Sequence, residues 1–170
     1  MEKLDQNSIN LLEVSLKENG SVKVVYGIIR ETSDTVYEDR HTLESGREVN
    51  MDFQKVVDDF KVHVVRDNFM GGTGLLGKDL SDVDVDTSLV LDSLYNKMDV
   101  SSIKLMGSKR DTIKIKARIE GVNKDKKGIE TGKLQFQESN KVDTYMYWDS
   151  LSAQWDELKL EVVKYLNNGR

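Results

Sequence analysis

The chain contains no cysteine and no proline. Without thiols, disulfides, thiolate zinc sites, iron–sulfur clusters and cysteine nucleophiles are all excluded. Without proline, turns fall to Gly, Asn, Asp and Ser. Histidine is almost missing: His41 and His63 are the only two. Both read as satisfied structural histidines. No apolar run nears the ~18 residues of a membrane span. The polar stretch Met1–Asn10 lacks the apolar segment of a signal peptide. These absences predict a cytoplasmic protein that does not engage a membrane and carries no cofactor.

What is present suits a folded domain. The 170 residues are 38% hydrophobic and 32% charged, with a net charge of −5. A chain of this length buries roughly 70% of the surface its unfolded form exposes, so no covalent staple is needed. The hydrophobic pattern changes period along the chain. Strands are expected at Ile9–Leu16, from Val22 through Ile28, and over Thr35–Thr42, with Asn19-Gly20 as a hairpin signal. Phe53, Val56, Val57, Phe60 and Val64 then recur at helical spacing, with Asn50 or Asp52 as cap. After an irregular piece and a short helix expected over 87–97, strands are expected at Ser102–Met106, Ile113–Ile119 and Lys133–Gln137. A second amphipathic helix is expected over 144–167.

Strand runs followed by helices argue for an α+β fold rather than a doubly wound sheet. The expectation is antiparallel sheet, in a β-β-β-α / β-β-β-α order, with two amphipathic helices packed on one face. Residues 1–170 form one compact domain in this reading. Two half-units, 9–69 and 102–168, are joined by a Gly/Asp-rich insert over 71–100.

The sequence motifs fail their structural contexts. Gly72-Thr73-Gly74-Leu75-Leu76-Gly77 fits G-x-G-x-x-G, but it follows a helix rather than a strand. As a phosphate loop it places Asp79 where Ser or Thr must hold magnesium. Asp82, Asp84 and Asp86 alternate like the start of a calcium loop. Thr87 replaces the turn glycine and Ser93 the bidentate acid. They stay on as candidate metal ligands for a metal-dependent enzyme, one alternative function.

Charge is more informative. Lys104 to Lys133 holds ten basic and four acidic residues, inside a chain that is acidic overall. Lys114, Lys116 and Arg118 alternate along one strand and share one sheet face. With Lys109, Arg110, Lys126 and Lys127 they form a candidate nucleic-acid surface, although no aromatic stacking platform lies between them. A single-strand-binding module is therefore a second alternative. Tyr145 and Trp148, at the start of the last helix, are candidate protein-contact residues.

The stretch Ile103-Lys104-Leu105 … Gly107-Ser108-Lys109-Arg110-Asp111-Thr112-Ile113-Lys114-Ile115, with Tyr147 and the closing Glu161-Val162-Val163-Lys164-Tyr165-Leu166, resembles small uncharacterised proteins of tailed bacteriophages. The likeness covers about the last third of the chain and implies a phage origin and expression inside a bacterial cell. No catalytic constellation emerges. The favoured expectation is a non-enzymatic interaction protein, a phage accessory or host-directed factor that binds a protein partner or itself.

Overall fold

The computed structural model describes residues 3–69, 95–120, 125–137, 145 and 147–168. The alternating segments become strands β1 (Ile9–Leu16), β2 (Val22–Glu31), β3 (Val36–Ser45), β4 (Met98–Met106) and β5 (Thr112–Glu120), followed by the short β6 (Lys126–Glu130) and β7 (Leu134–Gln135). Between them lie α1 (Met51–Asp58) and α2 (Lys61–Phe69); α3 (Trp148–Asn168) closes the chain. The fold is α+β. All strand pairings are antiparallel, in the order β3-β2-β1-β4-β5-β6 with β7 also on β5. One sheet therefore runs through both halves of the chain, joined where β1 pairs β4.

The two faces of the sheet have different partners. Val14, Val24, Ile103, Ile113 and Ile115 point to the helices and join Phe53, Phe60, Val64, Leu151, Leu158 and Val162 in one core cluster. Period-two burial on the strands meets period-3.6 burial on the helices, which is why both patterns could be read from sequence. Lys114, Lys116 and Arg118 alternate with Ile113, Ile115 and Ala117, so they occupy the opposite, helix-free face.

Local chemistry sets the element ends. Asn50 caps α1, its side chain accepting from the Phe53 N–H at 2.8 Å. The Lys17–Gly20 turn closes with the Gly20 N–H donating to the Lys17 carbonyl at 3.0 Å. Only Gly20 takes the left-handed conformation there (φ 84°); Asn19 does not. Asn-Gly thus serves as the end of a longer loop with a glycine bulge rather than as a two-residue turn.

Several elements differ from the sequence reading. The first helix is split: α1 stops at Asp58 and α2 starts at Lys61, and both segments still bury the 53/57/60/64 stripe. The Asp59 carbonyl at this break faces the Gln154 amide at 3.5 Å. Residues 126–130, where the sequence predicts no strand, form β6. Their Lys-Lys-Gly composition is that of an edge strand, whose solvent-facing positions carry no hydrophobic pattern. β6 and β7 follow β5 with a one-residue slip between them. Thr131 bridges that slip: its N–H donates to the Ile115 carbonyl at 2.9 Å and its hydroxyl accepts from the Ile115 N–H at 3.0 Å. The glycine motif 72–77, Asp82, Asp84, Asp86 and most of the helix expected over 87–97 lie outside the described residues.

Candidate functional site

The seven basic residues expected to form one open patch meet different fates. Arg110 makes a two-pronged ion pair with Glu38 of β3, Nη1 to Oε1 at 2.6 Å and Nη2 to Oε2 at 2.7 Å. Lys114 pairs with Glu130 at 3.2 Å. Arg118 Nε lies 3.7 Å from Glu18, and Lys126 lies 3.9 Å from Glu18 and 3.5 Å from Asp99. Lys109, Lys116 and Lys127 are exposed and have no ion pair among the described residues. The basic surplus of the second half is thus partly neutralised by carboxylates of the first half: Glu38 and Glu18 both reach across the β1–β4 junction. The surface is a mosaic of both signs rather than a positive stripe, which weakens the case for tracking a phosphate backbone.

The Glu38–Arg110 pair depends on a missing side chain. Glu38 crosses over Gly27 on β2, accepts from Asn10 Nδ2 of β1 at 2.8 Å, and reaches Arg110 beyond it. A Cβ on Gly27 would overlap Glu38 Cγ and Cδ. Arg110 itself is held in the left-handed region (φ 53°), which costs a non-glycine residue roughly 1–2 kcal/mol. The Arg110 guanidinium draws the Glu38 carboxyl down to about 2, helped by Asn10 and opposed by desolvation.

The interior holds a polar chain. His63 is fully buried between Tyr145 and Gln154. Its Nδ1 lies 2.7 Å from the Tyr145 hydroxyl and its Nε2 lies 2.6 Å from Gln154 Oε1. The donor–acceptor sequence that satisfies every member runs from Tyr145 O–H to Nδ1, and from Nε2–H to Oε1; it assigns a neutral imidazole protonated on Nε2. Burial drives the His63 pKa down to about 4, with the Arg66 charge adding to the effect and the Gln154 hydrogen bond opposing it. Burial likewise raises the Tyr145 phenol. Tyr145, expected as a surface contact, is therefore a core residue whose hydroxyl is committed to His63. Trp148 is half-buried at the first position of α3. A surface depression of about 560 Å³ lies between the 17–20 turn, α1 and the ends of β4 and β6. Its rim mixes Arg118, Lys126 and Lys55 with Glu18, Asp58 and Asp99. Among the described residues, no group of three His, Asp or Glu stands ready to hold a metal ion. No described helix is long and apolar enough to cross a membrane.

The two edges of the sheet differ most. On the β6–β7 side the strands are short, carry Lys126 and Lys127, and are interrupted at Thr131. Short length, lysine and irregularity are the devices that keep a sheet edge from pairing with another chain. β3 has none of them. It is ten residues long, pairs with β2 over ten residue pairs without a slip, and contains no lysine. Its outer backbone is unpaired among the described strands. Val36 is 64% exposed and Tyr37 48%, and Ile29 on β2 adds to the same end. Charges of both signs line β3: Glu38, Asp39, Arg40 and Glu44.

No family model, curated protein or solved structure matches the chain. β3 was legible as a strand, but not as an edge, because strand order depends on the distant β1–β4 pairing. The one sequence signal that could have exposed the Glu38 crossing was Gly27 itself: a glycine inside an alternating strand marks a place where another group approaches the backbone.

Proposed function

We propose that this is a non-enzymatic interaction protein that docks a protein partner by strand addition along β3. The observation that carries this reading is the contrast between edges, one blunted by lysines and a slip, the other long, regular and unpaired among the described strands. Main-chain groups along such an edge supply affinity for an incoming strand, and flanking side chains supply selectivity. The apolar Val36, Tyr37 and Ile29 at one end offer an anchor, and the mixed charges select a complementary partner rather than any chain. A phage accessory or host-directed factor, the role suggested by the sequence resemblance, would use this edge on a bacterial protein.

The test is affinity capture from bacterial extract, comparing the wild-type chain with Val36→Lys/Thr42→Lys, which installs lysines along the edge. The reading requires a captured protein that is lost with the double variant while the variant's melting temperature is retained. Capture that is indifferent to the lysines would overturn it.

A further inference from the structure

Among the charged side chains of β3, two have no ion-pair partner in the described structure. Glu38 is held by Arg110, and Asp39 by His41 at 3.1 Å and Arg30 at 3.3 Å. Arg40 and Glu44 are exposed and unpaired, although Glu44 sits opposite Lys23; the Lys23 ammonium instead lies 4.0 Å from Glu13. Arg40, Thr42 and Glu44 project from the same, helix-free face because they alternate along the strand.

We infer that β3 pairs antiparallel with β3 of a second copy, centred on Thr42, so that one sheet continues through both molecules. This rests on the reading of β3 as a docking edge and names its occupant.

Backbone geometry limits the registers. The free N–H and C=O groups of an edge strand belong to alternate residues, so only residues of the same parity can face one another across a two-fold axis. Centring on Glu38, Asp39 or Arg40 sets each of these charges against its own copy. Centring on His41 sets Glu38 against Glu44. Centring on Leu43 makes no ion pair and shortens the paired segment. Centring on Thr42 sets Arg40 of each copy against Glu44 of the other, Thr42 against Thr42, and His41 against Leu43, with no like charges opposed. It is the register that uses both unpartnered charges. Opposite charges directly across strands favour pairing, and like charges disfavour it. The helices of both copies then lie on the same side of the shared sheet.

The experiment is sedimentation velocity on the full chain from about 1 µM to about 1 mM, a range suited to a small, single-strand interface. The wild type should show a concentration-dependent dimer. Arg40→Glu and Glu44→Arg should each weaken it at least tenfold by setting like charges opposite. The double variant should return to within about threefold of wild type. Mixing the two single variants should give a heterodimer, because one then carries two acids and the other two bases at the facing positions. Both substitutions are at exposed positions that make no ion pair among the described residues, and circular dichroism of each variant verifies the fold. A monomeric wild type across the range, or a dimer indifferent to the single changes and to their mixing, would overturn the inference. A monomeric wild type whose bacterial partner is nonetheless lost with Val36→Lys/Thr42→Lys would remove self-pairing and leave the docking edge standing.

Discussion

Glu38→Gln tests whether the crossing over Gly27 holds the sheet together. The substitution keeps the side chain's shape and the acceptor for Asn10 but removes the charge that meets Arg110. The carboxyl is lowered from 4.5 to about 2 in the folded protein. By linkage, a shift of this size corresponds to about 3 kcal/mol. Solvent reaches both partners, with side-chain exposures of 37% for Arg110 and 22% for Glu38, so screening reduces the expected contribution to about 1–2 kcal/mol. The direction with pH follows from the sign of the shift. A carboxyl whose folded pKa is depressed stabilises the fold above its unfolded pKa, and that contribution disappears as pH falls from about 4.5 through about 2. Urea unfolding followed by the fluorescence of Trp148 and Trp155 should therefore show the variant less stable by about 1–2 kcal/mol at pH 7. The two proteins should converge as the pH approaches 2. A deficit below about 0.3 kcal/mol at pH 7, or one that stays constant down to pH 2, would refute the assignment of this pair as a stabilising contact.

Three further outcomes follow from the same structure. Gly27→Ala should cost about 1–3 kcal/mol, because its Cβ displaces Glu38; in a Glu38→Ala background most of that cost should vanish, and additive costs in the double-mutant cycle would show that the glycine matters for another reason. His63 should stay neutral by NMR until about pH 4. Since its unfolded pKa is near 6.5, it should withdraw up to about 3 kcal/mol of stability as pH falls from 6.5 to 4; a His63 titrating near 6.5 in the folded protein would contradict its buried placement. Asn50→Ala should cost about 1 kcal/mol through loss of the cap to the Phe53 N–H, measured by chemical unfolding, whereas an unchanged midpoint would mean that α1 does not depend on its cap.

The sequence carried those parts of the fold that depend on local periodicity. β1 matched its expected boundaries because its apolar positions are its own, even though a bulge between Leu11 and Glu13 shifts the burial alternation. β5 was clear for the same reason. The split between α1 and α2 left no trace, since Phe53, Val57, Phe60 and Val64 keep one stripe whether or not the helix pauses at residues 59–60. β6 was missed because a charged edge strand and a charged turn have the same composition. His63 was legible as structural from its place beside the apolar stripe, but its partners Tyr145 and Gln154 are far away in sequence. The local surplus of base around β5 was real. Its counterweight lay elsewhere: Glu18 and Glu38 are contributed by the opposite half of the sheet, and no window along the chain brings them next to Arg118 and Arg110. The edge character of β3 was out of reach for a similar reason, because it becomes an edge only once β1 has chosen β4 as its second neighbour.

That choice has a consequence for how the chain acquires its shape. β1–β2–β3 and β4–β5–β6 are each meanders closed by nearest-neighbour turns, and such ribbons assemble early because their loop-closure entropy is small. The junction between them aligns Glu13 with Lys104, Val14 with Ile103 and Ser15 with Ser102, residues separated by about half the chain. Loop-closure entropy predicts that this junction forms after the two ribbons. On that expectation β1 and β4 are each an open strand before the ribbons join, two sticky borders that the finished sheet seals.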